Sequence, residues 1–456
     1  MSFSTEVSTN LKLALPIIAA QLTFMGFGVA DTVMAGRLGG QALAAIAVGA
    51  NIWMQPFVFF MGLAMAISAI VSHRLGAGNA PGSIGTFLRS ALGLALLQGL
   101  VWMLIVRLAA APVIQMLALD HSTAQLALDY LLAESWSAPL FCICFALRNT
   151  IEGVGVTAAI FVTGLCGLAV KILFNHLLLD EFGAVGFGWS AVIASVVMVA
   201  VYLTQYAVWP RLRALQLFER ASAVSTAQAL EMLRLGLPIG LILLAEVAFF
   251  GITSLLMARF GAEAVAAHQI AINFASIMFM VPLGVALATT VRVGHAAGAG
   301  AFGAALLRGK TGMGLGLVFA LFSAALMGLK PEWITALYIE DGAVAAQAQT
   351  FLRFAALFQL ADCLQATANG ALRGLKDTRM PMLITLTAYW LIGMPFAYSL
   401  AFHFGYGPNA LWWGFILGLA LAGAGLSWRF LHKTKRSLGG PPSPPARRAG
   451  TVTGSP

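Results

Sequence analysis

What this sequence has least of is charge. Its 456 residues include 26 Lys and Arg and 17 Asp and Glu, 9% in all, where a water-soluble domain carries about 25%. The balance is apolar, with 60% hydrophobic residues and a mean hydropathy of +0.89. Apolar runs of roughly 20 or more residues recur along the chain, each long enough to cross a hydrocarbon core of about 30 Å. The short alternating segments of a membrane β-barrel are missing. A water-soluble globule and a barrel are both excluded, and an all-α polytopic membrane protein remains.

Other absences narrow the function. The opening MSFSTEVSTN has neither a basic n-region nor a small-residue cleavage site, so the first span itself is expected to direct insertion. Four cysteines (Cys142, Cys144, Cys166 and Cys363) all fall in apolar runs. Cys142 and Cys144 are two apart on a predicted helix and point to different faces. Neither a disulfide framework nor a zinc site is credible, and they read as small apolar side chains. There is no HExxH, Walker motif, Gly-rich phosphate loop or nucleophile elbow in a fitting context. No cofactor and no use of ATP is expected. A membrane-embedded acyltransferase or protease would need His, Asp and Ser or a metal clustered at one depth, and the histidines are scattered. The expected protein is not an enzyme, and it is either driven by an ion gradient or passive.

What is there is a repeat. Leu11–Gly78 aligns without a gap on Leu233–Gly300 after a shift of about 222 residues, with roughly a third of positions identical. Pro16 falls on Pro238, Arg37 on Arg259, Gly39 on Gly261, Asn51 on Asn273 and His73 on His295. The chain is two related halves.

About twelve spans are expected, near 11–38, 43–73, 86–110, 124–149, 154–180, 184–209, 233–258, 264–296, 303–329, 343–373, 379–404 and 408–430. The halves become six-helix bundles at 11–209 and 233–432, flanked by a short N-terminus (1–10) and a Pro-rich, basic, disordered tail (433–456). A linker at 210–232, with an amphipathic interfacial helix as one option, joins them. Most Lys and Arg, from Lys12 and Arg74 through Arg148 to Arg436, fall on one side of this threading, which puts both termini in the cytoplasm and the protein in the inner membrane. The net charge of +9 then reflects topology and tail, and no nucleic-acid partner is expected. Six spans per half give parallel repeats about an axis along the membrane normal.

A carboxylate at a helix centre costs roughly 2.5–3.5 kcal/mol even on a lenient insertion scale, so intramembrane acids are functional candidates. Three stand out: Asp31 in GFGVADTVMAG, Glu246 in ILLAEVAFF and Asp362 in LFQLADCLQA. Glu246 and Asp362 fall near the midplane of the second half, and Asp31 lies nearer the outer end of the first span. Lys171 in AVKILFNHLLL lies at roughly the depth of Asp31 and either pairs with it or snorkels to the interface. Asn51 and Asn273, repeat equivalents, are expected to face the interior and hydrogen-bond between helices. Gln21, Gln55, Gln269, Gln359, Gln365 and Asn369 either line a cavity or join helices. Part of the Met and Phe complement can form a compliant apolar pocket.

These residues carry a likeness. The chain resembles the multidrug and toxic compound extrusion (MATE) family, in its NorM-like branch, over nearly all of residues 11–430. The marks are Pro16 with Asp31 in P-x₁₄-D, LPIGLILLAE with Glu246, and D-x₂-Q-x₄-G-A-L-R-G-x-K-D-T from Asp362 to Thr378. The resemblance implies a V-shaped pair of six-helix bundles, alternating access, and export of amphipathic, often cationic, drugs in exchange for H⁺ or Na⁺ by a monomer in lipid. It makes Glu246 and Asp362 the cation-linked carboxylates of the C-terminal bundle, with Na⁺ as one occupant, and Asp31 that of the N-terminal bundle. Members often carry an Asn with an Asp or Asn four residues on, and here Lys171 and Asn175 occupy those places. A fixed positive charge beside Asp31 disfavours Na⁺ there, and Phe358 offers no oxygen ligand near Asp362. The alternative is an exporter of a lipid-linked or polysaccharide precursor, which would line its cavity with several cations to meet phosphate.

Overall fold

The computed structural model describes residues 3–219 and 225–438. Its helices in the first half are α1 (Phe3–Leu38), α2 (Gly40–Gly76), α3 (Pro81–Met116), α4 (His121–Glu134), α5 (Ser137–Val154), α6 (Ala158–Leu177), the one-turn α7 (Leu179–Phe182), α8 (Gly186–Val208) and the one-turn α9 (Pro210–Arg213). The second half holds α10 (Thr226–Met257), α11 (Ala262–Gly298), α12 (Phe302–Leu329), the short α13 (Pro331–Thr335), α14 (Gly342–Gly374), α15 (Arg379–Leu386), α16 (Met394–Tyr398) and α17 (Asn409–Leu438). Among the described residues ten helices are long and apolar enough to cross a membrane, and the bent pair α4–α5 makes an eleventh. The twelfth crossing is α14, which carries Arg353, Asp362 and Arg373 and is packed against α11, α12 and α17. The architecture is all-α with twelve crossings.

Several expected boundaries move. Helix starts at Phe3, so most of the first ten residues extend α1. The linker ends at Ser225, its only helix between α8 and α10 among the described residues is the single turn α9, and residues 220–224 lie outside the description. The helix α17 runs on to Leu438, taking in the start of the expected tail; residues 439–456 lie outside the description. Arg148 is not at a span end: it lies in α5 and donates to Gln21. In the last-but-one crossing, Pro395 has no N–H to give to Leu391, and the chain takes π-helical turns at Thr387–Gly393 and Ser399–His403.

The repeat is visible in the packing. Gly39 and Gly261, with φ of 114° and 100°, turn α1 into α2 and the α10 crossing into α11. A Cβ on Gly153 would meet Val71 Cβ at 2.8 Å, and a Cβ on Gly374 would meet Val293 Cβ at 2.8 Å, the same contact in each half. Asp120 caps α4, accepting from Thr123 N at 2.9 Å and Ser122 Oγ at 2.6 Å, and Asp341 caps the equivalent α14. These bonds hold the Asp120 carboxyl down at about 2.

The halves meet closely at the end that carries both termini. There a Cβ on Gly76 would overlap the His295 carbonyl, and one on Gly298 the His73 carbonyl, so α2 and α11 cross backbone to backbone. Higher up, Gly236 and Gly240 of α10 lie against the Leu63 and Phe59 carbonyls of α2. One apolar cluster is shared between the halves, with Ala14, Ile17, Ile18, Met65 and Ala66 against Ile239, Val285, Leu287 and Ala288. Ion pairs also cross this end. Glu6 of α1 pairs with Arg292 of α11, and Glu231 of α10 takes both Arg74 (2.7 Å) and Lys376 (2.8 Å).

Candidate functional site

A cavity of about 520 Å³ lies in the first half, toward the end opposite the termini, with exposed Val29 and Val33 on its flank. Its apolar wall is aromatic: Phe24 stacks on Phe57 with centroids 5.4 Å apart, and Trp53 lies 4.4 Å from Trp102. Asn273 of α11 reaches it from the second half.

Its charged base is built from four helices. Lys171 and Asn175 lie one turn apart on α6, on one buried face. Lys171 Nζ lies 3.0 Å from Asp31 Oδ1 of α1, and donates to the Phe187 carbonyl at 2.7 Å and Ser190 Oγ of α8 at 3.0 Å. Asn175 Nδ2 donates to Asp31 Oδ1 at 2.7 Å, and the Ser190 hydroxyl donates to Asn175. The ammonium points inward and is not snorkelling, because three acceptors on α1 and α8 meet it at depth. From α4 come Tyr130 and Glu134, both lining the same cavity.

In the second half Glu246 (α10) and Asp362 (α14) lie within reach of one another's charge, and Tyr389 faces both. Asp362 Oδ1, Gln359 Oε1, Gln365 Nε2 and Tyr389 Oη are buried without a hydrogen-bond partner. Phe358, one turn before Asp362, packs on Phe250 and Phe415 with centroids 5.8 and 5.9 Å away. The repeat shows what is special here. Glu246 and Asp362 correspond to Phe24 and Phe141, whose rings meet at 6.4 Å in the first half. An aromatic contact in one half stands where the other has two acids.

Not every predicted polar residue joins a site. Asn51 is exposed and donates to the Ala47 carbonyl of its own helix at 2.8 Å, so it makes no interhelical bond. Asn273, also exposed, accepts from Tyr338 at 2.9 Å. Gln21 is taken by Arg148, and Gln359 donates weakly to Cys363 Sγ at 3.7 Å.

Sequence reasoning passed over Glu134 and Glu152, both buried. Glu134 lies well inside the fourth apolar run, and counting its depth would have found it. Glu152 lay past the expected end of that run, which the helix overshoots to Val154. Arg373, the repeat counterpart of Glu152, is buried within its electrostatic reach. Among the described residues no group of three or more His, Cys, Asp and Glu could hold a metal ion.

The chain matches the family model described as MatE twice, over residues 16–177 and 238–399, which are displaced by the same 222 residues as the repeat. It is 37% identical to the multidrug resistance protein PmpM of Pseudomonas aeruginosa over 447 residues, covering 95% of this chain and 93% of that one. The multidrug resistance protein MdtK of Yersinia pestis is also 37% identical, over 431 residues, covering 92% and 94%. Among solved structures, the fold is similar to the eukaryotic MATE transporter AtDTX14 (TM-score 0.84, 18% identity, 95% and 98% covered). It is also similar to an outward-facing multidrug resistance MATE family transporter (TM-score 0.87, 18% identity, 95% and 97% covered). A family model spanning both repeats and relatives matched end to end place this protein in the MATE family of membrane transporters, as a transporter and not an enzyme.

Proposed function

We propose that the protein is a secondary active exporter that moves amphipathic organic cations out of the cell in exchange for protons, by alternating access. The observation that carries this reading is the chemistry of the first-half cavity, an aromatic wall over two carboxylates and one ammonium. Aromatic faces and carboxylates suit a flat or bulky cation. A phosphate-bearing lipid precursor would meet one ammonium, already paired with Asp31. Both similar proteins carry multidrug resistance in their names, in keeping with a compliant cavity.

Protons are favoured over Na⁺ as the coupling ion. Lys171 already supplies Asp31 with a positive charge at 3.0 Å, which disfavours a second cation there, and Phe358 adds no ligand beside Asp362. Glu246 and Asp362 are the coupling pair in this reading, since taking charge into a low-dielectric interior is costly and a proton or a bound cation each relieves it. The two compete, and exchange follows. One proton for one monovalent cation is electroneutral; a second proton adds about 2.3 kcal/mol per 100 mV. The end carrying the termini faces the cytoplasm in this reading, and the cavity opens outward.

The test uses purified protein in liposomes loaded with ethidium, with a Na⁺ gradient and a pH gradient imposed separately. Efflux driven by the pH gradient and abolished in Asp362→Asn is expected. Efflux driven by Na⁺ alone would overturn the choice of ion, and none under either gradient would favour the lipid-precursor exporter.

A further inference from the structure

The two acids of the first-half cavity are not alike. Asp31 is held by Lys171 and Asn175 through one oxygen, and Lys171 is itself 1% exposed and tied to Phe187 and Ser190. Asp31 thus already has its countercharge, and a substrate cation arriving at its other oxygen would meet a carboxylate that is paired. Glu134 is different. It is 7% exposed, lines the same cavity, and its Oε2 is buried with no hydrogen-bond partner.

Local structure explains how such a group is placed. Glu134 is the last residue of α4, at the 46° bend into α5. Pro139 cannot donate to the Ser135 carbonyl, which breaks the helix there. Ser135 and Ser137 hydroxyls donate to the Leu132 and Glu134 carbonyls at 2.7 Å, so the backbone of the break is satisfied, while of the Glu134 carboxyl only one oxygen is within reach of a donor, the Tyr130 hydroxyl, and Oε2 has none. The repeat places Leu360 opposite Pro139 and Ala355 opposite Glu134, and α14 runs on unbroken. The break and the acid occur together, in one half only.

The ionisable groups around Glu134 are Tyr130 on its own helix, Asp31 of α1 and Lys171 of α6. Arg107 of α3 reaches the same bend but lies over the Trp136 ring, donating to the Leu132 carbonyl at 3.4 Å. The packed helices α2 and α8 bring it none. Lys171 is engaged with Asp31, so an ionised Glu134 has no cation of its own. An unpaired buried carboxylate costs several kcal/mol.

We propose that Glu134 is the group at which the first-half cavity exchanges its proton for the substrate cation, while Asp31 and Lys171 form a fixed pair that positions α1 against α6. This rests on the antiport reading above and assigns it a second, separate acid. With the cavity empty, Glu134 holds its proton. A cation stacking on the aromatic wall supplies the missing countercharge, the O–H bond breaks, and the proton leaves to water at the cavity mouth. Return of a proton to Glu134 removes the countercharge and frees the cation. One positive charge enters as one leaves, and no electrons move.

The experiment follows proton release as ethidium binds to the full-length protein in weakly buffered detergent, for wild type, Glu134→Gln and Glu134→Asp. Wild type is expected to release protons, Glu134→Gln about one fewer per transporter, and Glu134→Asp to restore the release. Equal release from wild type and Glu134→Gln overturns the proposal and leaves the antiport reading standing. No release from wild type overturns both. Should Glu134→Gln not fold, wild type is treated with dicyclohexylcarbodiimide, which modifies protonated apolar carboxyls, and peptide-mapped. Modification of Glu134 that ethidium suppresses supports the proposal; an unmodified or ethidium-insensitive Glu134 overturns it.

Discussion

Removing the Lys171 ammonium takes the countercharge from Asp31, whose side chain is only 13% exposed, and one of the two side-chain donors from the Phe187 carbonyl. Breaking one side of a buried pair typically costs about 3–5 kcal/mol, while replacing both partners is often neutral. Lys171→Met is therefore expected to lower the thermal unfolding midpoint in detergent markedly and to abolish efflux. Asp31→Asn with Lys171→Met should regain most of the stability without regaining transport. A single variant as stable as wild type would show that the pair is not structural. The pair was legible in the sequence for a simple reason: a charge inside an apolar run has few explanations, and two opposite charges at one depth suggest each other. The same logic found Glu246 and Asp362. It was open to Glu134 as well, ten residues into the expected span 124–149, but the depth of that acid was not counted. Repeat equivalence misled at Asn51, since Tyr338 gives Asn273 a partner and Asn51 falls back on its own helix.

Among the elements, α2 and α11 depend most on particular small residues. Each passes the other's backbone at Gly76 and Gly298, where a methyl group would overlap a carbonyl that cannot move without moving a helix. Gly76→Ala and Gly298→Ala are each expected to destabilise by about 1–3 kcal/mol through overpacking, read as a lower unfolding midpoint. Gly314→Ala on α12 is the control, because nothing lies within 4 Å of a Cβ there. Equal midpoints for all three would mean the crossing is looser than drawn. The spans themselves were legible from run length, but the crossing was not. The bend at Pro139 and the π-helical turns around Pro395 were not, because a proline in an apolar run marks a disturbance without saying whether the helix bends, breaks or widens. The expected span at 343–373 matches α14, although that helix is the most polar of the long ones.

At the scale of the whole molecule, two copies of one frame have been given different chemistry. Where the second half sets Glu246 and Asp362, the first sets Phe24 and Phe141, and where the first sets Asp31 the second has Thr253. In the alternating-access cycle proposed above, the halves move against each other and the closed end opens. That end is held by the shared apolar cluster and by ion pairs between halves, in which Glu231 bridges Arg74 and Lys376. These side chains are partly exposed, between 19% and 32%, so each pair contributes about 0.2–1 kcal/mol. That is small beside the roughly 5.5 kcal/mol needed to invert a strongly biased two-state equilibrium. Glu231→Gln should therefore loosen the closed end without forcing it open. The reporter is Ser72→Cys, at a buried position beside Gly294 in the crossing, with the four native cysteines replaced. Its labelling by a water-soluble maleimide is expected to quicken by up to about fivefold in Glu231→Gln, the factor that corresponds to about 1 kcal/mol. High salt should quicken labelling in the parent and have less effect in the variant, since screening and neutralisation weaken the same bridge. Unchanged labelling in Glu231→Gln would assign the closure to the apolar cluster, the glycine crossing and the buried Glu6–Arg292 pair, and the Glu231 bridge would then be a consequence of closure with no part in holding it.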